Sequence, residues 1–396
     1  MKKLIIILTI IFLLPQNIYA LDYPKTDSEI IEVYDMTDNK VLYETDADKV
    51  SQIASLTKIA AVITAIEDIR NIDEKVKITG SILSTVDSDS SVAGLKAGDV
   101  LTYRDLLYAS ILPSGADATN SIAVLSSGSI SSFVKKMNDI AKKLGLKNTN
   151  FANVTGLYDK NHYSTADDMR KILAYSLKNP LFKQIYTTKE YRLSNGLLVK
   201  TTLYTYNVSA SENKKILGSK TGYTKEAGYC LSSLSNINGH EVVIISLKAR
   251  NDGNVYYHVE DTSKLIDFLN DNYKEQLLVK KGELIKGIPV NLSNMEWYYI
   301  NSPSDVTKFL PNDYSKDGLH IEYEGLDKLS FKNKQGEKIG TVNYYYDDEL
   351  FFSQDIILDK KIDFSIIKFI KRYFYILIVA VMILLFIIKR RKVIYG

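Results

Sequence analysis

Residues 59–66 of this 396-residue chain read Ile-Ala-Ala-Val-Ile-Thr-Ala-Ile and are apolar on nearly every face of a helix. A helix at the surface of a globular protein shows one apolar stripe, whereas a helix that is apolar all round must be covered on all sides. This segment therefore predicts a central helix, and the chain has to supply enough other elements to surround it.

The segments around this helix change type along the chain. Strand-like sequences at 29–36 and 41–44 flank a turn at 37–40 and predict a hairpin. Strand patterns return at 220–231 and 241–247. Strands at both ends with helices between them predict a mixed α/β (α+β) fold, in which one mixed sheet is covered by helices. The predicted helices are 104–111, 116–125, 132–144, 166–177 and 262–270.

From about residue 275 onward the pattern is that of strands alone. Leu319, Ile321 and Tyr323 alternate with polar residues, which is the period of a half-buried strand. About 350 residues lie between the two apolar ends of the chain, and that length suffices for two domains with sizeable cores. We predict a larger domain at 21–272 and a small all-β domain at 273–362.

The N-terminal residues 1–20 have the features of a secretory signal peptide. Lys2 and Lys3 precede an apolar run at 4–14, and the segment ends in Ile-Tyr-Ala at 18–20. We predict cleavage after Ala20, with an uncleaved membrane anchor as the alternative. Under either interpretation the chain that follows lies outside the cytoplasm.

The C-terminal residues 363–396 predict a membrane anchor. Residues 373–388 carry no charge, and four basic residues follow at 389–392. Sixteen helical residues span about 24 Å, and flanking Lys and Arg side chains can reach the interface of a roughly 30 Å hydrocarbon core. The basic cluster indicates a short cytoplasmic tail on a single-pass anchor, with the larger domain on the outer side. A buried core helix is the alternative.

Charge and rare residues exclude several classes of function. The net charge of +3 gives no indication of a nucleic-acid surface. Cys230 is the only cysteine, so an internal disulfide is excluded, and its strand-like context predicts a small buried side chain. The four histidines show no metal-ligand spacing, so we predict no metal site and a structural role for His162.

Ser55 and Lys58 stand immediately before the central helix, three residues apart. At the start of a helix this spacing places both side chains on one face, within reach of each other. A serine hydroxyl becomes a useful nucleophile when a base takes its proton, and a lysine can be that base when burial or a second cation lowers its pKa. Ser-x-x-Lys also occurs at 132–135, 211–214 and 365–368, so the place before the central helix is what favours Ser55.

Two further segments carry groups that complement this pair. In the strand-like segment at Lys220, Thr221 and Gly222, the glycine would let a ligand lie against the strand edge. The lysine and threonine could then hold a carboxylate, although an ordinary edge-strand lysine is the alternative. Ser114 stands at or near the N-terminus of the predicted helix 116–125, where it could cap the helix and also pass a proton.

Together these segments resemble those of the low-molecular-mass penicillin-binding proteins, which are serine-type D-alanyl-D-alanine carboxypeptidases. The resemblance extends from about residue 27 to 270. It implies a β-lactamase/DD-peptidase-like catalytic domain, peptidoglycan stem peptides as substrates, β-lactam antibiotics as covalent inhibitors, and no cofactor. The matching segments are 53–58 (Ile-Ala-Ser-Leu-Thr-Lys), 94–99 (Gly-Leu-Lys-Ala-Gly-Asp), 155–157, 162–169 and 220–230.

The resemblance also implies a role for each motif residue. Ser55 would be the acylated nucleophile, Lys58 its base, and Ser114 a helper in protonating the leaving group. Backbone N–H groups of Ser55 and Tyr223 would form the oxyanion hole. The substrate-binding residues would be Lys220, Thr221, Gly222 and Tyr223.

One position departs from the family's pattern, because Ala116 stands where the family's Ser-x-Asn motif has asparagine. Asp117 and Asn120 are the nearby candidates to replace that amide. Three other functions share the motifs: a serine β-lactamase, a D,D-endopeptidase that cuts cross-links, and a non-catalytic peptidoglycan-binding scaffold. The chain lacks the Glu-x-x-Leu-Asn segment that serves deacylation in one class of β-lactamase.

Overall fold

The computed structural model describes residues 21–205, 216–253 and 255–394. The signal peptide predicted at 1–20 lies outside the described residues. The chain divides into two compact units, one ending at Asn272 and the other beginning at Tyr273.

The first unit contains helices and short strands around one larger sheet. Its helices are α1 (Thr57–Asp68), α2 (Gly80–Leu83), α3 (Tyr103–Ile111), α4 (Ala116–Ser127), α5 (Ile130–Lys143), α6 (Ala166–Leu177), α7 (Pro180–Thr187) and α8 (Tyr257–Asn272). Its strands are β1 (Ile30–Asp35), β2 (Lys40–Thr45), β3 (Lys75–Lys77), β4 (Val100–Thr102), β5 (Glu190–Arg192), β6 (Leu198–Lys200), β7 (Ile216–Thr224), β8 (Gly228–Ile237) and β9 (His240–Ala249). All five predicted helices are confirmed, whereas α7 and the short strand pairs β3–β4 and β5–β6 were not predicted.

The large sheet has the strand order β2-β1-β9-β8-β7. Every neighbouring pair in it is antiparallel, so the prediction of a mixed sheet is wrong. The physical reason is the length of the connections: β1–β2, β7–β8 and β8–β9 are joined by four residues or fewer, and a parallel pair needs a crossover of a dozen or more. Strand β7, which carries Lys220, lies at one edge of this sheet.

Helix α1 is the central helix that the sequence predicts. Its first nine residues, Thr57 to Ala65, are all buried. The helix packs against α3, α4, α5 and α6, so each of its faces meets another element. Burial of a side chain such as Ile59 or Ile63 contributes about 1.5–3 kcal/mol, so this core holds the start of α1 firmly in place.

The second unit is built from strands followed by one long helix. Leu319, Ile321 and Tyr323 are half-buried on one face of β14 while their polar neighbours point outward, as the alternation predicts. The core contains buried aliphatic and tyrosine side chains, among them Ile288 and Tyr344. The elements are β10 (Tyr273–Val279), β11 (Leu284–Asn291), β12 (Trp297–Asn301), β13 (Val306–Pro311), β14 (Leu319–Gly325), β15 (Leu329–Ser330), β16 (Lys338–Tyr346), β17 (Glu349–Ile357) and α9 (Ile366–Ile394).

Helix α9 contains the apolar run that the sequence analysis assigns to a membrane anchor. Among the described residues, no single helix is long and apolar enough to cross a membrane. Two parts of α9, Ile366–Ile376 and Ile378–Lys389, meet the requirements of length and composition only when taken together, and they are bent by 54° relative to each other.

Candidate active site

Ser55 and Lys58 lie side by side at the entrance to α1. Ser55 is the middle residue of a 3₁₀ turn, Ala54–Leu56, that leads directly into the helix. The Lys58 Nζ lies 2.9 Å from the Ser55 Oγ. The contact predicted from the spacing of three is therefore present, although Ser55 stands in the turn before α1 rather than in the helix itself.

The environment of Lys58 favours its neutral form. Its side chain is 2 % exposed. Burial lowers the pKa of Lys58 to about 7, against the opposing effect of the Asp117 carboxylate. Besides its contact with Ser55, the Nζ donates to the carbonyl oxygen of Thr155 at 2.9 Å. With one N–H directed to Thr155, a neutral amine can turn its lone pair toward the Ser55 hydroxyl and accept its proton.

A tight loop holds the Thr155 carbonyl in this position. The Asn153 Oδ1 accepts hydrogen bonds from the backbone N–H groups of Thr155 at 3.1 Å and Gly156 at 2.7 Å. A Cβ on Gly156 would lie 1.8 Å from the carbonyl oxygen of Ala54, so only glycine fits against the nucleophile's turn. Asn153 was not predicted as a site residue, although the sequence analysis includes its neighbours 155–157 in the resemblance.

His162 supports the same turn from the other side. Its Nδ1 accepts the backbone N–H of Ala152 at 3.1 Å, which leaves the proton on Nε2 to be donated to the Thr57 Oγ1 at 2.7 Å. Thr57 in turn donates to the carbonyl oxygen of Ala54 at 2.8 Å. Burial lowers the pKa of His162 to about 4, so the ring stays neutral. The predicted structural role of His162 is confirmed, and its effect reaches Ala54, whose φ of 44° is in the left-handed region.

Ser114 and Lys220 form a second serine–lysine pair. The Lys220 Nζ donates to the Ser114 Oγ at 2.9 Å and to the carbonyl oxygen of Thr221 at 2.6 Å. Lys220 is 1 % exposed, and burial, followed by the charge of Lys58, lowers the pKa of Lys220 well below its usual value. For Lys58, the sequence analysis named burial or a second cation as the causes that could lower its pKa, and burial is the cause that the structure shows.

The interpretation of Ser114 as a helix cap is wrong. The N-cap of α4 is Gly115, which has no side chain to cap the helix, and the nearby Asp117 Oδ1 accepts the backbone N–H of Ala118 at 2.9 Å. Ser114 lies one residue earlier with a φ of 61°, and its hydroxyl is directed to Lys220. A Cβ on Gly115 would lie 2.7 Å from the carbonyl oxygen of Ala109, so the chain passes too close to α3 for a larger residue.

The Lys220–Gly222 segment lies along edge strand β7. The Thr221 Oγ1 is 2.5 Å from the Thr202 Oγ1, which places a second hydroxyl beside it. A Cβ on Gly222 would lie 2.8 Å from the backbone nitrogen of Ser55. Glycine is therefore needed here for the close approach of β7 to the nucleophile's turn, a reason that the sequence did not reveal.

Tyr223 follows this segment on β7 and extends into solvent. Its ring is half exposed and lies 4.4 Å from the ring of Tyr229 on β8, measured between centroids. Tyr223 belongs to the same run of edge strand as Gly222, beside Ser55.

The two candidates to replace the amide missing at Ala116 have other partners. The Asp117 carboxylate accepts backbone N–H groups of the loop 93–95, at 2.8–2.9 Å. The Asn120 Nδ2 donates to the carbonyl oxygen and to the Oγ1 of Thr85, both at 3.0 Å. Ala116 is fully buried. Through these hydrogen bonds both side chains hold the segment 85–95 against α4.

A possible metal-ligand group lies elsewhere in the first unit. Asp35, Asp38 and His240 offer ligand atoms within 4.8 Å of one another. The Asp35 carboxylate is already occupied, because the His240 Nδ1 lies 2.8 Å from its Oδ2 and the N–H of Thr37 donates to its Oδ1. These contacts fix the β1–β2 hairpin turn, so the group has a structural explanation.

Two family profiles match the sequence. The profile described as D-alanyl-D-alanine carboxypeptidase, of the peptidase S11 family, matches residues 19–251. The profile described as penicillin-binding protein 5, C-terminal domain, matches residues 273–363. The first match covers more than half of the chain and contains both serine–lysine pairs.

Two relatives and one solved structure show how far the similarity extends. D-alanyl-D-alanine carboxypeptidase DacA of Haemophilus influenzae is 33% identical over 340 residues, which are 82% of this chain and 82% of the relative. A D-alanyl-D-alanine endopeptidase of Escherichia coli is 31% identical over 244 residues, 61% of this chain and 77% of the relative. Penicillin-binding protein 5 from Haemophilus influenzae matches with a TM-score of 0.64 and 24% identity over 87% of this chain and 99% of that one, which establishes the fold.

Proposed function

The chain belongs to the peptidase S11 family of serine D-alanyl-D-alanine carboxypeptidases, and on that premise we propose that it removes the terminal D-alanine from peptidoglycan stem pentapeptides through an ester on Ser55. The observation that carries the assignment of residues is the presence of two buried lysines, Lys58 and Lys220, each 2.9 Å from a serine hydroxyl. One pair can activate a nucleophile while the other receives the end of the substrate.

The charge of the site favours a substrate that ends in a carboxylate. Lys220 is buried beside the charge of Lys58, which disfavours its protonated form in the empty site. A carboxylate placed against Lys220 and the Thr221 hydroxyl supplies the missing negative charge and raises the pKa of Lys220 again. A peptide with a free C-terminal carboxylate is therefore preferred over one whose C-terminus is blocked.

Acylation begins when Lys58 takes the Ser55 proton. The Ser55 Oγ attacks the carbonyl of the penultimate D-alanine, and the backbone N–H groups of Ser55 and Tyr223 stabilise the oxyanion. The proton then passes from Lys58 through the Ser114 hydroxyl to the leaving amine, and the terminal D-alanine departs. Water afterwards hydrolyses the ester and restores the Ser55 hydroxyl. A β-lactam follows the same first steps and remains on Ser55.

The direct test is D-alanine release from a stem pentapeptide ending in D-Ala-D-Ala. The wild-type chain is expected to release D-alanine, and Ser55→Ala is expected to reduce release by at least about 1,000-fold. Ser132→Ala is the matched control, because Ser132 has the same spacing to Lys135 but lies exposed on α5. Release that survives in Ser55→Ala would refute the proposed nucleophile.

A D,D-endopeptidase is the second candidate, since a relative 31% identical bears that name. The same acyl-enzyme chemistry serves both activities, and they differ in the amine that leaves. Comparing kcat/KM for the pentapeptide with that for a cross-linked dimer separates them. If penicillin fails to acylate Ser55 and neither peptide is cleaved, the non-catalytic scaffold remains.

The proposal also states where the protein is located in the cell. A signal peptide at 1–20 exports the chain, and residues 363–396 anchor it as a single-pass protein with the active site on the outer side of the membrane. The apolar length of α9 supports this, counted over its two parts. In cells, the chain is expected to stay with membranes after alkaline carbonate washing. A truncation after Asp359 is expected to be released, and its retention would contradict the anchor.

A further inference from the structure

Three segments of the second unit meet at the point where α9 begins. We call them together the helix-proximal end, defined as residues 291–297, 330–336 and 358–365. Ser293 and Phe364 form a β-bridge, and the rings of Phe331 and Phe364 are 4.9 Å apart. The Gln335 Nε2 donates to the carbonyl oxygen of Asp359 at 2.8 Å. One end of the β-rich unit is thus a continuous surface made from three loops.

The first two turns of α9 are bonded to this end. The Ser365 Oγ donates to the Asn294 Oδ1 at 2.7 Å, and the Lys368 Nζ donates to the Glu296 Oε1 at 2.9 Å. One turn further along, Arg372 donates to the Asn291 Oδ1 at 3.3 Å. These bonds fix the direction of the helix relative to the end from which it leaves, in contrast to a flexible linker.

The helix-proximal end exposes aromatic side chains. Trp297 is 49 %, Phe331 38 % and Phe364 45 % exposed to solvent, and Ile366 and Ile367 continue the apolar surface on the first turn of α9. The rings of Phe331, Phe364 and Phe369 follow one another at 4.9 and 5.8 Å, whereas the Trp297 ring lies over Gly287 of β11. Exposed apolar groups in contact are rare on soluble surfaces and mark contact sites. Tryptophan and other aromatic residues beside a membrane helix are typical of the lipid–water interface.

The charges around these aromatic residues are mostly positive. From the helix-proximal end to Arg372 there are seven basic residues against three acidic ones. Lys332, Lys334, Lys360 and Lys361 are all exposed. Basic residues near an anionic bilayer are attracted to its surface, and these residues fall within reach of the headgroups when the adjoining helix is inserted.

We propose that the helix-proximal end is a membrane-binding surface for anionic lipids. Through it, the β-rich unit contacts the lipid headgroups in a fixed orientation. The inference rests on the membrane anchor proposed above. It adds that Trp297, Phe331 and Phe364 enter the headgroup region while Lys332, Lys334 and Lys360 contact lipid phosphates, since Lys361 is paired with Asp363 at 2.9 Å. Continuity with α9 and the excess of positive charge favour a bilayer as the occupant over a second copy of the chain.

Trp297 makes this test direct, because it is the only tryptophan in the chain. The full-length protein is reconstituted into phosphatidylcholine vesicles containing about a third phosphatidylglycerol, and flotation confirms that it is bound. We expect Trp297 emission to shift to shorter wavelength and to lose about half its intensity with lipids brominated near the headgroup. If the protein is bound but Trp297 still emits at the wavelength of a solvent-exposed tryptophan and is not quenched, the proposed membrane-binding surface is wrong. The proposed membrane anchor would be unaffected by that result.

Charge reversal provides the matched comparison. In Lys332→Glu/Lys334→Glu, the quenching of Trp297 is expected to fall at least twofold, with penicillin binding unchanged. Lys280→Glu/Lys281→Glu is the control, because this turn leads into the far end of β11 and should leave quenching as in wild type. Equal effects of the two double variants would overturn the proposal.

Two remaining outcomes also decide the matter. If the protein does not float with the vesicles, both the membrane anchor and the membrane-binding surface are contradicted. The Trp297 blue shift could instead depend on the ratio of protein to lipid and not on lipid charge. That result would assign this end to contacts between copies of the chain and contradict the membrane-binding surface.

Discussion

Both units of this protein bury lysine, but they surround it differently. In the first unit, Lys58 and Lys220 contact serine hydroxyls and backbone carbonyls. In the second unit, the buried Lys308 lies with its Nζ 4.6 Å from the centroid of the Phe351 ring. Hydroxyl oxygens can exchange a proton with an amine, whereas an aromatic face only attracts a cation. The hydroxyl contacts of Lys58 and Lys220, rather than burial alone, therefore indicate chemistry.

Replacing Lys58 and Lys308 separately should give the largest difference in activity between the two units. Lys58→Met removes the base beside Ser55 and is expected to lower acylation by penicillin about 1,000-fold. Lys308→Met is the matched control and is expected to leave the acylation rate unchanged. Mass spectrometry of the intact chain after timed exposure to penicillin measures both. Similar losses in the two variants would show that Lys58 acts through packing alone.

Lys58→Met is also expected to stabilise the first unit by about 1–2 kcal/mol, because a desolvated amine is replaced by an apolar side chain of similar length. The pKa of Lys58 is near 7 in the folded state and about 10.5 in the unfolded state. The cost of burying Lys58 is therefore fully present below pH 7 and disappears as pH rises toward 10.5. Thermal unfolding at pH 7 and pH 10 should show the larger gain at pH 7.

A core substitution in the second unit should lower the free energy of unfolding without changing the rate of Ser55 acylation. Ile288→Ala removes a fully buried side chain from its apolar core and is expected to cost about 2–5 kcal/mol of unfolding free energy. Acylation of Ser55 per folded molecule should remain at the wild-type rate. Denaturant unfolding and active-site titration with labelled penicillin measure the two quantities. A fall in the rate for molecules that remain folded would break the division between the units.

His162 tests whether a neutral, structural histidine still influences the nucleophile. His162→Ala is expected to lower kcat for acylation about 10–100-fold with little change in KM, because Ala54 and Ser55 lose the support that runs through Thr57. His162→Gln can still donate to Thr57 and should recover most of that loss. His240→Gln, at the β1–β2 hairpin, is the control. A KM effect as large as the kcat effect would assign His162 to substrate binding.

The smallest expected effect is the pH dependence of the wild type. Below the Lys58 pKa of about 7, acylation should fall about tenfold per pH unit, because the neutral base becomes protonated. At high pH the rate should fall again as Lys220 loses the charge that holds a carboxylate. The pH profile of His162→Gln should have the same shape, since the His162 pKa of about 4 lies below this range. A flat profile between pH 5.5 and 7 would contradict the role of Lys58.

The predictions that succeeded depend on groups close together in sequence. The spacing of Ser55 and Lys58 places them on one face before any other contact is known. The apolar composition of 59–66 requires a central helix for the same reason. The wholly antiparallel sheet was missed, although the short turns between β7, β8 and β9 contain the information.

The supports of the site depend on contacts between distant residues. Thr155 is separated from Lys58 by 97 residues, and His162 from Thr57 by 105 residues. Ser114 has a left-handed backbone instead of the predicted cap role, next to the close approach of Gly115 to α3 and with its hydroxyl bonded to Lys220. The need for glycine at 222 arises because a Cβ there would lie 2.8 Å from the backbone nitrogen of Ser55. No local pattern in the sequence specifies these approaches.

The two buried lysines also bear on how the enzyme would behave in ordinary buffers. Across the described parts of the first unit, neither Lys58 nor Lys220 is paired with a carboxylate. A small anion placed against Lys220 favours its protonated form, as the substrate carboxylate does, so phosphate or sulfate would bind where the C-terminus of the peptide binds. The apparent KM would then rise with the concentration of such anions while kcat stayed constant. The buffer anion would therefore be a competitive inhibitor with respect to the peptidoglycan peptide.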